Sequence, residues 1–248
     1  MKIDHLVVNI DKSIQEDKDI INTIHSAGLP YKPKWGKGTK GFKVSNIWIG
    51  AEDFEFVRIK KEDGGGWLKD WTVKYLKGHR GLVGFALEVE DIDKAYQKIR
   101  SRNVKITPPE PLKFRWFFKL LQKTMPWRNA YLPEFKGVPF QFFLQQLNDE
   151  KSKRYMEQYM VPNSLDNDIK GISEVIIYGE LTQDDKEIIY ALFNDYEEQE
   201  NSLLINLGPQ TIRFIKSNTY RVEVILECTN QEYATKQIEI ENLHIRNK

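Results

Sequence analysis

Apolar residues recur along this chain at spacings of about two and about 3.6, and the order in which the two spacings alternate repeats. Ile3-Asp4-His5-Leu6-Val7-Val8-Asn9-Ile10 has the composition of a half-buried strand. Helical spacing follows, with Ile14, Ile20, Ile21 and Ile24 on or near one face, up to Gly28-Leu29-Pro30. Gly28 suits a helix C-terminus, and Pro30 cannot prolong a helix. Gly41 to Ile49 and Asp53 to Ile59 predict two further strands about a turn at Gly50, and Glu62-Asp63-Gly64-Gly65-Gly66 predicts a flexible joint.

The pattern restarts at Leu82-Val83-Gly84-Phe85-Ala86-Leu87-Glu88-Val89. A helix opens at Asp91-Ile92-Asp93, its apolar residues Ile92, Ala95, Tyr96 and Ile99 falling at i, i+3, i+4 and i+7. Val104 to Ile106 and Asn129 to Leu132 predict strands, and Val138 to Leu144 closes the unit. A third copy begins at Gly171 to Ile177, with a capping-box signal at Thr182-Gln183-Asp184-Asp185 and a stripe of Ile188, Ile189, Leu192, Phe193 and Tyr196. Strands at Ser202 to Leu207 and Thr211 to Lys216 follow, and Arg221 to Glu227 reads as the first strand of a fourth unit left unfinished. The polar stretch Asn148 to Asn167 is the expected boundary, which divides the chain into 1–147, a linker 148–167, and a shorter module with terminal strands over 168–248.

Composition narrows the function classes. With 248 residues and 40% hydrophobic content, the chain can bury one large core or two smaller ones. Thirty-seven Lys and Arg against 36 Asp and Glu leave a formal charge of +1, so there is no global basic field and no nucleic-acid partner is expected. The longest apolar runs, such as Leu6 to Val8 or Val175 to Tyr178, are too short to span a bilayer. The chain runs into a strand-like segment from Met1-Lys2-Ile3, so no signal peptide and a cytoplasmic location are expected. The single cysteine, Cys228, excludes an internal disulfide framework and a Cys-rich zinc site.

Particular strands carry a resemblance. Ile3-Asp4-His5-Leu6-Val7-Val8 resembles the first strand of glyoxalase-like domains, where a histidine often supplies a metal ligand. Phe54-Glu55-Phe56-Val57 resembles the Tyr-Leu-Glu-Leu strand that carries a carboxylate ligand. Gly81 to Leu87, followed by Asp91-Ile92-Asp93, looks like the start of the paired module. On these residues the chain resembles the vicinal-oxygen-chelate (glyoxalase/bleomycin resistance/dioxygenase) superfamily, well over about residues 1–147 and more loosely over 171–227. The resemblance implies an α+β fold. In it, tandem βαβββ modules form curved mixed sheets around a concave pocket, with an additional shorter related module at the C-terminus.

Strand alternation then selects positions. Leu6, Val8 and Ile10 share one face and His5 takes the other. Phe54 and Phe56 oppose Glu55, Phe85 and Leu87 oppose Gly84, and Phe140, Phe142 and Leu144 oppose Gln141. In the family the second face is the concave, ligand-binding one, so the corresponding set is His5, Glu55, Gly84 and Gln141. Imidazole and carboxylate are good ligands for a divalent metal (Zn, Mn, Fe or Ni), an amide oxygen is a poor one, and glycine has no side chain. The expected metal set of His5, Glu55 and Gln141 is therefore incomplete. The competing reading is a hydrogen-bonded His5–Glu55 pair lining a polar pocket, where it would still serve as a catalytic acid and base. In the third module Glu174 and Arg213 match His5 and Glu55, and Glu223 matches Gly84. That set predicts Arg213 neutralising both carboxylates, or a second pocket for a charged ligand.

Residues 112–128 hold Lys113, Arg115, Lys119, Lys123 and Arg128 with no acid, interleaved with Phe114, Trp116, Phe117, Phe118 and Trp127. The segment is helix-capable. It predicts a lid whose Arg115 and Trp116 contact a ligand, a snorkelling basic helix completing the core, or a membrane contact. Trp35, Trp48 and Trp67 are candidates for the concave lining or for packing. Gly64-Gly65-Gly66 lacks the context of a phosphate loop. Two function classes follow. One is a metal-dependent lyase, isomerase or dioxygenase acting on a small oxygen-rich metabolite. The other is a small-molecule-binding or resistance-type protein with no metal. A small-molecule ligand and a monomer or homodimer are expected in either case, and a membrane partner is not.

Overall fold

The structure is a computed structural model that describes residues 1–116 and 121–248. The first half contains β1 (Lys2–Asn9), α1 (Lys12–Glu16), α2 (Lys18–Ser26), β2 (Phe42–Ile49), β3 (Glu52–Ile59), α3 (Lys69–Leu76), β4 (Gly81–Glu88) and α4 (Ile92–Ser101). Next come β5 (Glu110–Trp116), β6 (Leu121–Tyr131), β7 (Gln141–Leu147) and α5 (Glu150–Glu157). The remainder is β8 (Ile169–Gly179), α6 (Gln183–Leu192), β9 (Tyr196–Gln199), β10 (Ser202–Asn206), β11 (Thr211–Lys216), β12 (Arg221–Cys228), β13 (Gln237–Ile240) and β14 (Leu243–Asn247).

These strands build two seven-stranded mixed sheets, ordered β2-β3-β1-β4-β7-β6-β5 and β13-β14-β12-β8-β11-β10-β9. In the first, β1 runs parallel to β3 and antiparallel to β4, which runs parallel to β7. The second repeats the plan, with β8 parallel to β11 and antiparallel to β12, and β12 parallel to β14. Each sheet thus joins two units along a central antiparallel pair, and one of the two sheets curls into a half-barrel. This is the α+β architecture that the repeating pattern predicts. The fourth unit does not stop after its first strand, because β13 and β14 complete its side of the sheet. What it lacks is the helix, in whose place residues 231–235 form a turn.

Two local expectations are corrected. Residues 104–109 are irregular, and the described residues of the segment 112–128 lie in the strands β5, up to Trp116, and β6, from Leu121, instead of a helix. Pairing decides the second case: β6 lies along β7 from Trp127 opposite Leu147 to Tyr131 opposite Phe143, and β5 lies along β6. The ladder to an existing strand outweighs the helix propensity of the lysines and leucines.

The apolar sides of both sheets meet in one core. Leu6, Val8, Phe54, Phe56, Phe85 and Phe142 come from the first sheet, and Val175, Ile177, Ile205, Ile212, Val222 and Val224 from the second, all fully buried. Ile24, Ile92, Ile99, Ile188 and Ile189 add one stripe each from α2, α4 and α6. The capping box of α6 forms as the sequence predicts. Asp185, fully buried, also accepts the N–H groups of Lys136 (2.7 Å) and Gly137 (2.9 Å), which fixes the loop before β7. A buried polar pin crosses between the sheets. Glu52 accepts the N–H of Ile172 at 3.0 Å, and Gln210 links the Ile3 N–H (2.8 Å) to the Ile172 carbonyl (3.1 Å). Among the described residues, no helix is long and apolar enough to cross a membrane.

Candidate functional site

The concave face of the first sheet is set by register. His5 lies opposite Asp53 on β3 and Ala86 on β4, and Val7 lies opposite Glu55 and Gly84. Glu55 lies opposite Asn46 on β2, while Gly84 lies opposite Gln141 on β7. The four positions chosen by alternation do share one face. They do not share one site.

At one end His5, Asp4, Asp53 and Glu55 form a titratable cluster. Pairing between β1 and β4 shifts at Asp4, an irregularity between Ile3 and His5. The Asp4 carboxylate bonds the His5 Nδ1 at 2.5 Å and accepts the Gln145 amide at 2.7 Å. The His5 Nε2 lies 4.0 Å from the Glu55 carboxylate. Asp53 accepts the Asn46 amide at 2.6 Å. Burial pulls the His5 pKa down, but the hydrogen bond and charge of Asp4, with the charges of Asp53 and Glu55, raise it to about 9. Burial raises Asp53 to about 7 against the pull of the His5 charge, and it also pushes Glu55 up. The His5 side chain is 13% exposed and that of Glu55 25%, so the cluster is sheltered but reachable. Chemically, it is an imidazolium facing one carboxyl, Asp53, that exchanges its proton near neutrality, and a second, Glu55, that burial raises.

The middle of the face is filled by the protein itself. Trp71 of α3 lies over Gly84 so closely that a Cβ there would be 2.4 Å from the ring. Trp71 meets the edges of Phe143 at 5.8 Å and Tyr131 at 6.1 Å, and Trp67 and Tyr75 extend the cluster over Val7, Val57 and Val83. Phe143 in turn touches the His5 ring, with centroids 5.4 Å apart. Gln141, opposite Gly84 on β7, lines an open groove of about 830 Å3 with Asp70, Arg100, Lys105, Tyr131 and Glu134.

The metal set His5, Glu55 and Gln141 is therefore not assembled. No contact brings Gln141 to the other two, and an indole occupies the position where a side chain at residue 84 would reach into the concavity. Among the described residues, no three His, Cys, Asp or Glu side chains are grouped to hold a metal ion. The donors present do not fit a divalent-metal centre. Arg115 and Trp116 pair with Gln122 and Leu121 along the β5–β6 ladder, but their ligand-contact role rests on side chains outside the described residues. In the second sheet Arg213 binds Glu174 at 2.9 Å as expected, whereas Glu223 is held by Arg246 at 2.7 Å and by the Tyr178 hydroxyl at 3.2 Å.

Three residues were missed by the sequence reading. Asp53 was available from the same alternation that selected Glu55, two positions along one strand. Trp71 had a signal in the spacing of Leu68, Trp71 and Tyr75. Asp4 had none, because an irregular register is not written in the hydrophobic pattern.

No protein-family model matches the sequence, and no curated protein matches it. Solved structures do match in shape. A hypothetical protein from Staphylococcus aureus superposes with a TM-score of 0.71 at 15% identity, over 100% of this chain and 98% of that one. A mutant 4-hydroxymandelate synthase from Streptomyces coelicolor gives a TM-score of 0.54 at 10% identity, over 91% of this chain and 70% of that one. With its two mixed sheets of repeated units, the chain shares the fold of these two structures, as the resemblance read from its strands leads one to expect.

Proposed function

We propose that the protein binds a small oxygen-rich metabolite at the His5 end of the first sheet, without a divalent metal, and exchanges a proton with it through Asp53 and Glu55. One observation carries this reading. The Trp71 ring closes the centre of the concave face over Gly84 and leaves the carboxyl cluster as its polar remainder. In the proposed site Asp4 holds the His5 ring by its Nδ1, which leaves the Nε2–H as a donor to an oxygen of the ligand. Asp53, titrating near 7, and Glu55 are the groups suited to move a proton at neutral pH. Binding without chemistry is the second reading, favoured by the same aromatic filling, which leaves little room for a substrate to turn.

Two measurements test the proposal. Elemental analysis after dialysis against Zn, Mn, Fe and Ni should find no stoichiometric metal. Near-stoichiometric metal that is lost in both His5→Ala and Glu55→Ala would overturn the metal-free site. A thermal-shift screen of small hydroxy and keto acids should yield ligands whose effect disappears in His5→Ala. Deuterium uptake into a bound ligand by wild type but not by Glu55→Gln separates catalysis from binding alone.

A further inference from the structure

The near-zero net charge conceals a local asymmetry. From Ile20 to Ala51 the chain has no acidic residue and five lysines, Lys32, Lys34, Lys37, Lys40 and Lys43. The fold gathers them at one edge. The first four are exposed in the loop before β2, the outermost strand of the first sheet. Lys43 follows in β2 opposite Arg58, which is itself paired with Glu16 at 2.7 Å. Lys60 and Lys61 join from the end of β3, their backbone N–H groups donating to the Gly41 carbonyl at 2.7 and 3.2 Å. None of these seven lysines is ion-paired with a described acid.

Apolar surface stands in the same place. Trp35, within the lysine loop, is 60% exposed. The Lys37 ammonium lies 4.3 Å from the ring centre of Tyr159, which ties that loop to the segment after α5. There Tyr159 is 42% exposed and Val161 53%. Tyr155 packs on Tyr159 with centroids 5.0 Å apart, and Lys32 lies 4.3 Å over Trp35.

Cations ringing an exposed tryptophan, tyrosine and valine match the boundary of an anionic bilayer. Indole and phenol rings settle at headgroup depth, and clustered lysines are drawn to acidic lipids. We infer that this edge docks on an anionic phospholipid surface, with Trp35 at headgroup level and the lysines over the lipid phosphates. A single-stranded nucleic acid would satisfy the lysines but needs free ring faces for its bases. Lys32 and Lys37 already cover one face each of Trp35 and Tyr159, and Val161 offers none.

The test is co-sedimentation of the full chain with phosphatidylcholine vesicles, with and without phosphatidylglycerol. Binding is expected only with the anionic lipid, and it should weaken as salt rises. The Lys34→Gln/Lys37→Gln/Lys40→Gln variant should lose affinity by about a hundredfold. Trp35→Ala should lose it several-fold, both with unchanged circular dichroism. Absence of sedimentation, equal binding to neutral vesicles, or unchanged binding by the charge variant overturns the inference. Capture of a single-stranded oligonucleotide without vesicle binding overturns it too, and assigns the edge to nucleic acid.

Discussion

His5 and Asp53 depart from their ordinary protonation behaviour in ways that give stability the same trend with pH. The folded His5 pKa of about 9 lies above the ordinary imidazole value. Its pairing with Asp4 therefore stabilises the fold fully below about 6.5 and is lost as pH rises through 9. Asp53 is raised to about 7, so the fold prefers its protonated form, and stability also falls as pH rises from the ordinary carboxylate range through 7. Removing Asp4 isolates the first effect. In Asp4→Asn, burial is no longer outweighed, and the His5 pKa read by NMR should drop by on the order of one unit or more. The alkaline loss of stability should shrink with it, and an imidazole still titrating near 9 would remove Asp4 from the explanation. His5 and Glu55 were legible from alternation alone, because a regular strand assigns each side chain to a face. Their partner Asp4 was not, because the register shift brings it to His5 from a position that alternation gives to the other side.

Among the elements, α3 determines what the concave face can hold. The reading of the sequence stopped at the glycine joint Gly64-Gly65-Gly66, and the spacing of Leu68, Trp71 and Tyr75 is a faint signal because the helix is short and its apolar residues serve the concavity instead of the main core. Gly84 was read as an empty ligand position, and the structure sets the indole of Trp71 directly above it. A double-mutant cycle exposes that dependence. Gly84→Ala should cost about 1–3 kcal/mol in wild type by overpacking, and close to nothing in a Trp71→Ala background. Trp71→Ala alone should cost about 3–5 kcal/mol. Denaturant midpoints measure all three, and additive costs would mean that the two residues do not meet. The antiparallel β5–β6 pair teaches the opposite lesson. Its composition admits a helix, and only pairing with β7, remote in sequence, decides otherwise.

For the whole molecule, the repeat was the most legible feature, because three copies of one plan each write the same pattern and a fourth begins it. Less legible was that both sheets share one core. Residues 1–147 contain all six tryptophans, so fluorescence reports the first sheet alone, whereas circular dichroism reports both. With Phe142 and Val222 in one apolar cluster, and with Glu52 and Gln210 bonded across, the two signals should change at the same denaturant concentration. Separate midpoints would mean that the halves unfold independently. Whole-chain charge says nothing of local placement. A total of +1 is compatible with an edge of seven lysines, and only their placement along the chain reveals it.

The ring of Trp71 comes from the segment between the first and second units, not from the strands that form the concavity. The scaffold and the filling of its concavity are thereby written in different stretches of sequence. The strands can stay fixed to preserve the fold while the connector, free of any place in the hydrogen-bonded ladders, is lengthened, trimmed or re-aimed. A lineage could change what enters the hollow by altering some twenty residues around α3, with no strand required to relearn its partner.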